Sequence, residues 1–134
     1  MNASASRLQP VRSNIINPPS IPISNALIAG EVIYTVQVPR HPQTFAPSGE
    51  GDIELQAARV FDQLKHVLEC AGSSLVQVAQ MTIYLVDKAD APGMNRVYAR
   101  YFTAPPYPNR ATVVVKELLG ENCLIEIVVQ AIKA

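Results

Sequence analysis

Residues 52–87, "DIELQAARVFDQLKHVLECAGSSLVQVAQMTIYLVD", decide the fold because the spacing of apolar residues changes within them. The first part repeats every third or fourth residue, which predicts a helix with one buried face, formed by Ile53, Ala57, Val60, Leu64, Val67, Leu68 and Ala71. Asp52 is a candidate N-cap, and Gly72 is a candidate stop at the C-terminus. The second part alternates, which predicts a strand that buries Ala79, Met81, Ile83 and Leu85.

The segments on either side extend this alternation of helix and strand. Upstream, "NALIAGEVIYTVQVP" (25–39) predicts two short strands in a hairpin that turns at Gly30. Downstream, Asp90 and Pro92 open a second helix, whose apolar stripe is Met94, Val97, Tyr98, Tyr101 and Phe102. Two further strands begin near Arg110 and at "CLIEIVVQAIKA" (123–134).

The predicted order is therefore β-β-α-β-α-β-β, an α/β (α+β) sandwich in which two helices cover one face of a mixed sheet. We expect one domain over residues 1–134, with residues 1–20 as an N-terminal arm or edge strand. The other face of the sheet is still largely apolar and has no helix to cover it. A subunit partner is the expected cover.

Composition narrows the class of protein. Of the 134 residues, 49% are hydrophobic and 16% are charged, which is a globular composition. Basic and acidic residues number 11 each, so we expect no nucleic-acid partner and no anionic membrane partner. No apolar run has transmembrane length, and "MNASASRLQP" lacks the apolar core of a signal peptide.

The cysteines and histidines do not form a recognisable metal or disulfide pattern. Cys70 and Cys123 belong to no CxxC or metal-spaced set, and His41 and His66 are isolated. We therefore predict a reduced, cytoplasmic protein without a metal site. Cys123 is expected to be inert, because the sequence shows no basic neighbour that would lower its pKa.

Two charged residues interrupt the most apolar strands. Arg110 follows the turn in "PYPNRATVVV" (106–115), and Glu126 lies on the side of the last strand that carries Leu124 and Val128. Each charge needs a partner in such surroundings. The first interpretation is a buried ion pair between the two. The second is functional: Arg110 binds a ligand carboxylate, and Glu126 handles a proton or a water molecule.

The ion pair depends on how the last two strands are arranged. If they formed a hairpin centred near Gly120, Glu126 would face about Val115, and at ~3.3 Å per residue it would be roughly 16 Å from Arg110. That gap excludes a direct pair. Either the strands are not hairpin neighbours, or each charge faces a partner of its own.

At these residues the chain resembles the Rid family, also called YjgF/YER057c/UK114. The resemblance runs from about Pro22 to the end and is carried by "ISNALIAGEVIYTVQVP" (23–39), residues 56–87, "MNRVYARYF" (94–102), "PNRATV" (108–113) and "LIEIVVQAI" (124–132). It implies a chorismate-mutase-like fold and a homotrimer with a cleft at each subunit interface. It also implies cofactor-independent hydrolysis of enamines and imines, such as 2-aminoacrylate or an aminomuconate-like compound, to a 2-keto acid and ammonia.

Site residues follow from the resemblance position by position. Arg110 corresponds to the arginine that binds the substrate carboxylate, and Glu126 to the acidic residue that orients water and handles protons. Further positions expected to line the substrate cleft are Ile23, Thr35, Val36, Asn95, Tyr107 and Thr112.

Three of these positions depart from the family pattern. Ile23 stands where many active members have tyrosine, Val36 where they have glycine, and Thr112 where they have cysteine. These changes indicate a reshaped pocket and leave two alternatives to catalysis. One is a non-catalytic protein that binds a 2-keto acid or another small carboxylate, and the other is a protein-interaction or chaperone-like role.

Overall fold

A computed structural model describes residues 5–17 and 20–134 of the chain. Its elements, in chain order, are β1 (Gln9–Pro10), β2 (Ala26–Ala29), β3 (Val32–Gln37), α1 (Ile53–Cys70), β4 (Val78–Leu85), α2 (Ala91–Tyr101), β5 (Asn109–Val114) and β6 (Ile125–Ile132). The predicted order of strands and helices is confirmed, with the short β1 added in front of it.

The six strands form one mixed sheet in the order β1-β2-β3-β6-β4-β5. β4 and β5 are parallel, because α2 carries the chain back across the sheet between them, and the other neighbours are antiparallel. β6 lies between β3 and β4, so the last two strands are not hairpin neighbours. The sequence left it open whether these strands form a hairpin, and the structure shows that they do not.

The core lies between the sheet and the two helices. The helical face predicted for α1 is buried, apart from the partly buried Ile53. Phe61, which that prediction did not include, is also buried and contacts the rings of Tyr98, Tyr101 and Phe102 from α2. The sheet contributes a layer of fully buried side chains to this core: Ile33, Met81, Ile83, Leu85, Ile125 and Ile127. Burying such a continuous apolar layer is the main force that holds the helices on the sheet.

One predicted core residue is not buried. Ala79 is exposed, and Val78 takes the buried position. The register between β4 and β6 shifts between Val78 and Gln80, so the strict alternation of sides is interrupted there. The prediction for Ala79 was wrong because a bulge cannot be read from the alternation alone.

Both predicted ends of α1 are confirmed. Asp52 Oδ1 accepts hydrogen bonds from the backbone N–H groups of Glu54 at 2.9 Å and Leu55 at 3.1 Å. At the other end Gly72 has a φ of +79°, which glycine adopts without strain, and the Ser73 N–H donates to Leu68 O at 2.8 Å.

The face of the sheet opposite the helices is largely apolar, and it is open in the single chain. Tyr34 is 45% exposed, Val36 42% and Ile132 46%, although strand side chains of this size are usually covered. The single folded chain therefore has the uncovered face that the sequence predicts.

The N-terminal arm expected over residues 1–20 includes residues 1–4 and 18–19, which lie outside the described residues. In the described part, β1 pairs with β2 at the edge of the sheet. Neither helix in residues 5–17 and 20–134 combines the length and hydropathy needed to cross a bilayer.

Replacing Asp52 with Ala should lower the free energy of unfolding by about 1 kcal/mol, because two N–H groups of α1 lose their acceptor. Asp52→Asn keeps an acceptor oxygen and should cost at most a few tenths of that value. Urea denaturation followed by circular dichroism measures both. Equal losses for the two variants would contradict the capping role.

Candidate functional site

The Arg110 side chain lies on the helix side of the edge strand β5 and is held by α2. Its Nη2 donates to Asn95 Oδ1 at 2.8 Å, and its guanidinium carbon lies 4.5 Å from the centre of the Tyr98 ring. Tyr98 is itself stacked on Phe102, with ring centres 4.5 Å apart. A cation over an aromatic face is attracted to the ring, so Asn95 and Tyr98 together fix the guanidinium.

No carboxylate among the described residues neutralises the charge of Arg110. Both ion pairs among the described residues are made by Glu54, with Arg96 and Arg100. An amide oxygen and a ring face are neutral partners, which leave donors of the guanidinium free. A guanidinium in this state is suited to bind a carboxylate in a two-point contact.

Glu126 lies on the opposite side of the sheet. Its neighbours Ile125 and Ile127 point into the helix-covered core, so Glu126 faces the open side, beside Tyr84 of β4. No described side chain donates a hydrogen bond to its carboxylate, and burial raises its pKa above the usual value of 4.5. A carboxyl group in this environment exchanges protons more readily near neutral pH than an exposed one does.

Arg110 and Glu126 do not meet in one chain. Arg110 pairs with Met81 of β4 and Glu126 with Tyr84, so their backbones are two strands and three residues apart, roughly 14 Å. Their side chains also point to opposite faces. A direct ion pair between Arg110 and Glu126 of the same chain is therefore excluded.

Glu126 opens into a hollow of about 460 Å³ at the end of β3. The wall is mainly apolar and includes Ile21, Ile23, Val36, Val38, Phe45 and Leu119. Its polar members include Asn25, Gln37, Arg40, His41, Gln63 and Glu126. The volume and the few convergent polar groups are typical of small-molecule sites.

A buried polar network supports this hollow from behind. Gln63 Nε2 donates to Gln37 Oε1 and to Val38 O, both at 3.0 Å. Gln37 Nε2 donates in turn to Asn25 Oδ1 at 3.1 Å and to Thr35 Oγ1 at 2.9 Å. These bonds fix the strand end that carries the wall, because buried amides are costly when unpaired.

The predicted site residues fall into two groups. Ile23 and Val36 line the hollow together with Glu126. Asn95 contacts Arg110, and Thr112 lies two residues further along the same side of β5, with an exposed side chain.

Two predicted residues neither line the hollow nor contact Arg110. Thr35 is buried, and its hydroxyl donates to Asn25 O at 2.8 Å. Tyr107 is 59% exposed, in the turn before β5. Their roles in substrate binding stay predictions.

Cys123 has a basic neighbour that the sequence did not reveal. Burial raises the pKa of the Cys123 thiol, and the positive charge of the neighbouring Arg40 offsets this effect only in part. The expectation that Cys123 has no basic neighbour was therefore wrong. The thiol is still expected to be inert, because a buried neutral thiol is unreactive.

Sequence reasoning missed Tyr98 as a support for Arg110 and Arg40 as a member of the hollow. The sequence pattern places Tyr98 in the apolar stripe of α2. Its position three residues after Asn95 puts both side chains on one helix face, which was the available indication. Arg40 lies in a polar loop and had no such pattern.

The chain is similar to known proteins in both sequence and structure. The model of a family described as Endoribonuclease L-PSP matches residues 16–133. A RutC family protein of Saccharolobus solfataricus is 40% identical over 114 residues, which cover 84% of this chain and 88% of the relative. The 3-aminoacrylate deaminase RutC of Acinetobacter baylyi is 36% identical over 110 residues, covering 82% and 86%.

Solved structures agree with the sequence relatives. The Rid-family protein YyfA of Yersinia pestis superposes with a TM-score of 0.85 at 28% identity, covering 93% of this chain and 98% of that one. E. coli TdcF, solved with bound serine, gives 0.82 at 25% identity, covering 94% and 99%.

Gln63→Leu should lower the free energy of unfolding by about 1–3 kcal/mol, because Gln37 Oε1 and Val38 O lose their donor. Gln43 is exposed, so Gln43→Leu is the control and should change stability little. Chemical denaturation measures both variants. A Gln63→Leu protein as stable as the control would show that the network does not support the hollow.

Proposed function

We propose a function from one established premise: the chain belongs to the Endoribonuclease L-PSP family, also called the Rid family. This family includes at least one named enamine deaminase, the RutC protein of Acinetobacter baylyi. Our proposal is that this chain hydrolyses a small enamine or imine that carries a carboxylate, and that it releases a 2-keto acid and ammonia.

The observation that carries the proposal is the state of Arg110. Its guanidinium is fixed by Asn95 and Tyr98 and has no carboxylate partner among the described residues. Arginine keeps its charge at all working pH values and presents paired donors to a planar anion. A substrate carboxylate completes this arrangement.

A complete site requires a second copy of the chain. Arg110 and Glu126 face opposite sides of the sheet, so one ligand cannot contact both within a single subunit. We propose a homotrimer in which Arg110 of one subunit meets the Glu126 hollow of the next. Burial of the apolar sheet face, with Tyr34, Val36 and Ile132, would drive this association.

The reaction needs little beyond placement of the substrate and transfer of protons. The C=N carbon of an imine is already electrophilic. Water adds to it while the nitrogen takes up a proton, and the carbinolamine then releases ammonia to leave the keto acid. Glu126 would orient the water, accept a proton from it and return a proton to the departing nitrogen. The raised pKa of Glu126 suits this exchange.

A second candidate is a non-catalytic binding protein that uses the same cleft. Ile23 and Val36 line the hollow at positions where many active members have tyrosine and glycine, so the pocket is reshaped, which favours ligands other than the small enamines. In that case ligand binding would depend on Arg110, and Glu126→Gln would have no functional effect.

The cytoplasmic location and the absence of a nucleic-acid partner stay predictions.

Replacing Arg110 with Ala should reduce turnover at least a hundredfold, because the two-point contact to the carboxylate is lost. Glu126→Gln should lower kcat by a similar order while leaving binding of a keto acid nearly unchanged. Ammonia release from freshly generated 2-aminoacrylate and from an aminomuconate-like substrate measures both. A well-folded wild-type protein that turns over neither substrate would contradict the proposal.

Arg110→Ala should keep the oligomer, whereas Tyr34→Asp should dissociate it, because only the second change puts a charge on the apolar face. Val76 is an exposed apolar residue in the turn before β4, so Val76→Asp is the matched control. Size-exclusion chromatography with light scattering gives the mass of each variant. Monomeric wild-type protein, or dissociation by Val76→Asp alone, would rule out the proposed interface.

A further inference from the structure

The hollow beside Glu126 contains a second guanidinium, that of Arg40. It belongs to the loop after β3, and neither the reaction described above nor the sequence pattern assigns it a role. Its surroundings resemble those of Arg110 in one respect. A fixed positive charge faces a largely apolar wall, and it forms no ion pair with the described residues.

The contacts of Arg40 define its position. Nη1 donates to Phe45 O at 2.9 Å, and the rest of the guanidinium lies against Gly120 and Cys123. The fit to Gly120 is close, since a Cβ added at Gly120 would lie 3.0 Å from Nη2. The side chain is therefore held at the wall of the hollow by contacts on two sides.

None of these contacts neutralises the charge. The ion pairs among the described residues do not include Arg40, although Glu126 lines the same hollow. The Cys123 thiol stays neutral because burial raises its pKa. The His41 side chain, also at this wall, uses Nδ1 to accept from the N–H groups of Gln43 and Thr44 at 3.3 Å and supplies no anion.

We propose that Arg40 binds a second anionic group of the substrate, so that the preferred substrate is an enamine or imine dicarboxylate. This inference rests on the proposed function: Arg110 of the neighbouring subunit binds the carboxylate next to the C=N bond, and Arg40 binds the one at the far end. The apolar wall of the hollow, with Ile23 and Val36, suits the carbon chain that joins the two groups.

A purely structural role for Arg40 makes a different prediction. The residue also ties its loop together, through the bond to Phe45 O and through the backbone bridge to Pro47. If the tether were its whole role, replacing Arg40 would weaken all ligands alike. A second residue tests this, because Arg59 Nε donates to Ser48 Oγ at 3.1 Å and holds the same loop from outside the hollow.

The experiment measures the binding of two 2-keto acids of equal chain length, 2-oxoglutarate and 2-oxopentanoate, by isothermal titration calorimetry. They are products of the proposed reaction and differ only in a terminal carboxylate. Wild-type protein should bind 2-oxoglutarate about tenfold more tightly or better. Arg40→Met should remove this preference and retain 2-oxopentanoate, Arg40→Lys should keep part of it, and Arg59→Met should keep all of it.

Each remaining outcome overturns a specific statement. Equal affinity of the wild-type protein for the two acids, or an equal loss for both in Arg40→Met, would overturn the role of Arg40 and leave the proposed function intact, provided that Arg110→Ala still abolishes binding. If the wild-type protein binds neither acid and releases no ammonia from an imine, the proposed function fails, and the role of Arg40 fails with it.

Discussion

The contact between Arg110, Asn95 and Tyr98 is the interaction on which the proposed activity depends. It holds a permanent positive charge at the edge of the sheet through an amide oxygen and a ring face, neither of which neutralises it. Tyr98 is part of an aromatic cluster that includes Phe61 of α1, so the position of the guanidinium is tied to the packing of both helices. The hydrophobic core thus fixes the position of the guanidinium, and in the proposed function a ligand carboxylate supplies the missing charge.

The order of the strands determines which side of the sheet each charged residue faces. β6 is inserted between β3 and β4, and β5 runs parallel to β4 at the edge. This order puts Glu126 on the open face and Arg110 on the helix face, so the two groups could contact one substrate only across a subunit boundary, as proposed. The same open face carries exposed Tyr34, Val36 and Ile132. The proposed assembly and the proposed catalysis therefore both depend on the uncovered side of the sheet.

The sequence predicts most of the fold because local patterns set it. The period of α1, its Asp52 cap and its Gly72 stop each follow from rules that act within a few residues. Sheet order and the bulge that exposes Ala79 depend on pairings between distant segments, and alternation carries no information about these. The site residues likewise differ in whether the sequence alone indicates them. Arg110 and Glu126 stand out as charges in apolar strands, whereas Arg40 comes from a loop whose path only the three-dimensional structure gives.

The most direct test of a site shared between subunits uses two inactive variants together. Arg110→Ala and Glu126→Gln subunits are mixed in equal amounts, dissociated and reassembled, and their ammonia release is compared with that of each variant alone. If every site takes its arginine from one subunit and its glutamate from the next, random assembly restores about a quarter of the wild-type turnover, because one pairing in four joins two intact halves. No recovery in trimers shown by mass to be mixed would contradict the account.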